Sequence, residues 1–258
     1  VEEITGLKWF VRRARQIDDR EGSMSTENLI NILKEDLKVK KEIIAVRVMK
    51  HAPPHIPHYQ GQASPGMCAL VGEILKDGSI YYVTKENLGC PMALTATGTC
   101  ENEPREKFLE FMIEQNKDYP MHKDQDTLVS YYDKVDTFFT YPKVGGIGMI
   151  VGPLSKIDSP DLVLLFVTPH QGDILTRARA YLGDFTRGFG GMGGCIFTLR
   201  YSFMTGDPSF STSDTAWRMF AGLGEDEFTY TFPYPKLLEI ADLIKPTADY
   251  VNGFKNMF

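Results

Sequence analysis

The sequence has no P-loop, no G-x-S-x-G elbow, no H-E-x-x-H pair and no paired C-x-x-C, so none of the short motifs that name a reaction directly applies. Long hydrophobic runs are missing too. No stretch of eighteen apolar residues occurs, and the start carries no apolar segment ahead of a small-residue cleavage site, from which a soluble, cytoplasmic chain is expected. There is no excess of positive charge: 28 basic against 34 acidic side chains leave a net charge of -6. A nucleic-acid partner would need a local basic patch. The best one, Arg12, Arg13 and Arg15, runs straight into Asp18, Asp19 and Glu21 and reads as an amphipathic packing or dimer element. No membrane partner is expected.

Cysteine is sparse. Cys68, Cys90, Cys100 and Cys195 are spread over most of the 258 residues, which excludes a disulfide-dense secreted scaffold and favours reduced thiols or metal ligands. What the sequence does contain is enough apolar residues for a sizeable core. Residues 1–23 read as a helical extension, and 24–258 as one domain opening on the helix "ENLINILKEDL" with Ser25 or Thr26 as its N-cap.

The runs "EIIAVRVM", "SIYYVT", "GGIGMIVGPL", "DLVLLFVT", "GGCIFTLRYSF" and "EFTYTFPY" read as strands. "MCALVGEIL", "PREKFLEFMIEQN", "GDILTRARAYL" and "PKLLEIADLI" read as helices, the last with Pro235 in its first turn. Helices and strands mix without strict alternation. The expected class is α+β, with a mixed, mainly antiparallel sheet flanked by helices.

Three cysteines sit where a loop meets an element. Cys68 follows "SPG" at a helix start, Cys90 lies in "LGCP", and Cys195 follows "GFGGMGG" at the start of an expected strand. Helix starts offer free N–H groups and a positive dipole end, which lower a thiol's pKa. Glycines let backbone amides approach a cluster or an anion. Buried, inert, reduced thiols are the plain alternative.

At these residues the chain resembles the uncharacterised bacterial and archaeal family catalogued as domain of unknown function 169. The likeness is carried by "T-K-E-x-L-G-C-P", by "CALVGEILKDG" before it, and by "GGMGGCIFTLRYSFMTGDPSFS" and "GEDEFTYTFPYPKL" downstream. It covers roughly residues 26 to 245 and implies family cysteines at Cys68, Cys90 and Cys195, whereas Cys100 and "HAPPHIPH" are particular to this chain.

Three thiolates held together suit an iron–sulfur cubane with one iron left open to substrate. Structural zinc prefers four ligands in close pairs, and the gaps here, twenty-one residues between Cys68 and Cys90 and nine between Cys90 and Cys100, contain none. The expected cofactor is therefore a 4Fe-4S cluster on Cys68, Cys90 and Cys195, oxygen-sensitive, with a small anionic metabolite as partner and homo-oligomerisation open. A metal-free binding or redox-sensing protein is the alternative. An acid–base enzyme is a third reading.

His170 leaves an apolar strand just ahead of a helix, a position suited to catalysis. Lys85 and Glu86 precede the cysteine turn and could serve as acid and base, while Arg177 could fix an anion. Gly191, Gly193 and Gly194 could hold a phosphate or carboxylate through their amides. His51, His55 and His58 invite a metal, but the intervening prolines keep the segment extended, so an exposed loop is expected. The acidic turn Glu225, Asp226 and Glu227 reads as a solvated loop.

Overall fold

The computed structural model describes residues 24–60, 66–90, 105–118, 120–138, 148–190 and 194–255. The expected N-terminal helix, Cys100, Gly191 and Gly193 lie outside these. The described elements run in the order α1 (Thr26–Asn31, continuing as a wider turn through Asp36), β1 (Ile44–Met49), α2 (Met67–Asp77), β2 (Tyr81–Val83), α3 (Arg105–Asp118), α4 (Gln125–Phe138) and β3 (Gly148–Pro153). Then come β4 (Leu162–Val167), α5 (Pro169–Tyr181), β5 (Gly188–Gly190), a π-wound turn (Cys195–Arg200) leading into α6 (Tyr201–Thr205), β6 (Ser209–Ser211), α7 (Thr215–Phe220), β7 (Phe228–Pro233) and α8 (Tyr234–Lys255).

The strands form one sheet in the order β2-β3-β1-β4-β7-β6-β5. Each described pairing is antiparallel except β5 with β6. Beyond β2, residues 57–59 run alongside it: the Tyr82 N–H donates to the Pro57 carbonyl and the Tyr59 N–H to the Tyr82 carbonyl, both at 2.9 Å. The class is α+β with a mainly antiparallel sheet and helices on both faces. No helix among the described residues is long and apolar enough to cross a membrane.

The two-residue period of a strand divides the core. Along β4, Leu162, Leu164 and Phe166 enter one cluster, and Val163, Leu165 and Val167 enter the other. The first face is covered by α2 through Met67, Leu70, Val71 and Ile74, together with Leu199, Phe203 and Trp217. The second is covered by α1, α5 and α8, through residues such as Leu33, Ile174, Leu237 and Ile244. A run such as "LVLLFV" is apolar throughout because both of its faces are buried. A satellite cluster of Phe108, Met112, Leu128 and Tyr132 joins α3 to α4.

Local chemistry fixes the helix starts. The Ser25 hydroxyl accepts from the Asn28 N–H, and α5 opens on a capping box between Thr168 and Gln171 with Pro169 in the first turn. This puts His170 inside the helix rather than ahead of it.

One expected strand is wrong. "GGCIFTLRYSF" is helical from Cys195 to Thr205. Its apolar residues Phe197, Leu199, Tyr201 and Phe203 alternate as in a strand, yet the buried set includes Cys195, Thr198, Leu199, Ser202 and Phe203. Those five follow the i, i+3, i+4, i+7, i+8 spacing of a helix face. Two of them are hydroxyl residues, so apolar periodicity alone misreads the segment. The hidden Thr198 hydroxyl is satisfied by the Gly194 carbonyl, within its own turn.

Asp161, just ahead of β4, ties β1 to the start of α8. Its carboxylate accepts from the Val48 N–H at 2.7 Å, its N–H donates to the Val46 carbonyl, and its carbonyl accepts from the Tyr234 N–H. Burial raises its pKa to about 6, against the opposing pull of the Val48 N–H and Arg47. The folded state therefore binds this proton more tightly than the unfolded chain, and the stability it supplies at low pH is lost as pH rises from the ordinary 3.8 to about 6. In urea unfolding, Asp161→Asn, which keeps a neutral acceptor for Val48, should gain on the wild type between pH 4 and pH 6 and then hold a constant lead of about 1–3 kcal/mol. A variant less stable at pH 7 and with no change in pH dependence would contradict this account.

Candidate functional site

Cys68 occupies the second position of α2, whose N-cap is Gly66. Cys90 lies in the loop after β2. Cys195 opens the π-wound turn on the same face of the sheet. All three belong to or pack against one core cluster, with Cys195 buried and the other two half-buried. A Cβ on Gly66 would lie 3.2 Å from the Cys68 sulfur, 3.4 Å from the Cys90 Cβ and 3.8 Å from the Cys90 sulfur. The two sulfurs are therefore within about 7 Å of each other, the sum of the first and last distances. A side chain at Gly66 would press on the Cys68 sulfur, which would have to give way by a few tenths of an ångström. Cys68 and Cys90 both act electrostatically on Cys195. The structure thus brings together three thiols that the sequence separates by up to 127 positions.

Asp214 completes the group. It caps α7, accepting from the Trp217 N–H at 3.0 Å through Oδ1, and its Oδ2 accepts from the Gly194 N–H at 3.1 Å. Its charge reaches Cys68, Cys195 and the buried Tyr132 of α4. The Trp217 indole N–H favours the thiolate form of Cys195, but its geometry falls short of a made hydrogen bond, and it has no other partner. On the far side of Cys68 the buried Tyr59 donates its hydroxyl to the Glu73 carboxylate at 2.9 Å.

The expectation that helix starts depress these thiols fails. Burial, then the neighbouring Cys90 and Asp214, push the Cys68 thiol up to about 12. Burial, then Cys68 and Cys90, raise Cys195 well above its ordinary value. Loss of water outweighs the helix end, whose influence is confined to the first turn. Without a cation these groups stay protonated. Among the described residues, no three His, Cys, Asp or Glu side chains are disposed to close on a single metal ion.

The remaining expected site residues are dispersed. His170 and Arg177 lie on α5, which covers the opposite face of the sheet. His170 bonds Asn252 of α8 at 3.1 Å, and Arg177 pairs with Asp173 of its own helix at 2.8 Å in a largely exposed position. Neither is brought to the cysteines, because the helix that carries them buries Ile174, Leu175 and Ala178 against the other core cluster. Lys85 and Glu86 are exposed in the turn after β2, near Cys90 in sequence. The carboxyl of Glu86 is held below its usual range by the Thr84 side chain.

Gly194 lies at the site, but its N–H is taken by Asp214. Its bare α-carbon makes room for Trp217, whose Nε1 would be 2.7 Å from an added Cβ. His51, His55 and His58 are exposed, and His58 packs edge-on against Tyr82 at 5.0 Å. Asp214 and Trp217 were missed by the sequence reading. The available signal was the N-cap spacing in "SDTAW", where Asp214 precedes Trp217 by three positions.

A family profile described as Uncharacterised ArCR, DUF169, matches residues 32–242, most of the chain. No curated protein and no solved structure matches it significantly.

The raised thiols have a measurable consequence. In reduced, metal-free protein at pH 7, Cys68 should be alkylated by iodoacetamide at least about a hundredfold more slowly than glutathione, because the thiolate is the reacting form. Peptide mapping after timed quenching reads this directly, and a Cys68 rate equal to that of glutathione would refute the burial argument.

Proposed function

Starting from the fact that the chain belongs to the DUF169 family, we propose that it is an iron–sulfur protein, with a 4Fe-4S cluster held by Cys68, Cys90 and Cys195 and one iron left for a small anionic metabolite. The observation that carries this reading is the meeting of Cys68 and Cys90 at the bare α-carbon of Gly66, with Cys195 from a third segment close enough to feel both. When bound, such a cluster supplies a Lewis-acidic iron or a one-electron centre.

The residues present fit the group. Their donors are soft sulfurs, the ligand type that clusters take. A structural zinc prefers four ligands in close pairs, and the sequence spacing of these cysteines offers none.

The protein's own contribution is to hold the sulfurs in a dry place. Cys195 is fixed by the helix face it starts, Cys68 by α2, and Asp214 joins the two segments that flank the site, α7 and the turn at Gly194. Because Cys68 and Cys195 are protonated in the absence of a cation, loading releases protons, and affinity rises with pH. Anionic substrate binding finds no support in Arg177 or His170, which are on the other face.

The test is anaerobic purification followed by reconstitution with ferrous iron and sulfide, with iron and acid-labile sulfide counted per chain. Wild type and Cys100→Ala should be brown with equal iron. Cys90→Ala and Cys195→Ala should lose most of it. Air should bleach the wild type and lower its melting temperature, since a group bound only by the folded state adds to stability. Wild type that stays colourless and iron-free, or Cys90→Ala and Cys100→Ala with equal iron, would overturn the proposal in favour of a metal-free binding or redox-sensing protein.

A further inference from the structure

We infer that the indole N–H of Trp217 is a hydrogen-bond donor held for a sulfur of the group bound at Cys68, Cys90 and Cys195, which makes Trp217 a positioning residue that sets the potential of that centre. The inference rests on the cluster reading above.

Trp217 is 1% exposed, and its Nε1 has no hydrogen-bond partner. A buried indole N–H normally finds one, and leaving a buried donor unmade costs about 1–3 kcal/mol. The direction of this N–H is not accidental. Nε1 lies against the α-carbon of Gly194, 2.7 Å from where a Cβ would stand, and so borders the residue that precedes Cys195.

Three restraints hold it there. The Asp214 carboxylate takes the backbone N–H of Trp217 with one oxygen and that of Gly194 with the other, joining the tryptophan's helix to the cysteine's turn. The ring of Phe166, 6.1 Å away and tilted by 45°, backs the indole from the sheet. Gly194 provides the gap. A donor so held beside the Cys195 thiol is satisfied when a thiolate or sulfide becomes the acceptor. Charge on sulfur grows on reduction, so an N–H donor there favours the reduced form, and hydrogen bonds to the sulfurs are among the factors that set cluster potentials.

The test uses the full chain reconstituted anaerobically with ferrous iron and sulfide. Trp217→Phe keeps an aromatic ring and removes the donor. It should bind the same iron and sulfide as wild type, with the reduced-to-oxidised ratio at a fixed potential falling about tenfold, equivalent to a midpoint about 59 mV more negative for one electron. A second arm leaves Trp217 in place. The chain has two tryptophans, Trp9 and Trp217, so in Trp9→Phe the remaining emission comes from Trp217 and should be quenched in step with iron bound. A loaded Trp217→Phe with an unshifted midpoint, or Trp9→Phe emission unchanged as iron binds, overturns the inference while leaving the cluster reading intact. Wild type that takes up no iron and sulfide sinks the cluster reading, and this inference with it.

Discussion

Three thiols and a carboxylate share one corner of the first core face, and loss of water, reinforced by their mutual repulsion, governs the chemistry there. Ionising Cys68 or Cys195 places an anion beside Asp214 in a medium that screens poorly. The protein alone resolves this by keeping those two thiols protonated. A cationic group resolves it by taking the protons' place, and a coordinating thiol is deprotonated outright.

The fold serves this corner through short, rigid connections. Cys68 and Cys195 are each at the beginning of a helical segment on the same side of the sheet, so their positions follow from how those segments pack. The turn at Gly194 and the helix at Asp214 are joined by one carboxylate rather than by apolar contact alone. Such a clamp has directional geometry, which hydrophobic burial lacks. The opposite face, with α5 and α8 packed over Val163, Leu165 and Phe232, carries ordinary core packing.

Much of the fold was legible. The fully buried strand "LVLLFV" and the partly buried "EIIAVRVM" declare themselves by β-branched and apolar runs, and Ser25 and Pro235 mark helix starts by their local chemistry. The helix from Cys195 was not legible, because Thr198 and Ser202 face inward and hide the helical period from a count of apolar residues. Strands β5 and β6 escaped for a related reason: each is three residues long, and Gly188, Ser209 and Ser211 carry no apolar signal.

At the site, the three cysteines stood out by their neighbours, Gly66, Gly89 and Gly194. Asp214 and Trp217 act through distances that only folding creates, so their role had no counterpart in a linear reading. The same holds in reverse for His170, whose strand-end position was suggestive until the sheet placed its helix on the far face.

The segment 57–59 bears on how the molecule coexists with copies of itself. A sheet edge with free amides and carbonyls recruits strands from neighbouring chains, and proteins guard against this by covering the edge or placing proline along it. Here β2 is covered by residues 57–59, and the covering segment begins with Pro57, which has no N–H to offer, closely preceded by Pro53 and Pro54. Those prolines, which first drew attention only as spacers between histidines, leave this edge of the sheet a poor template for growth into fibrils.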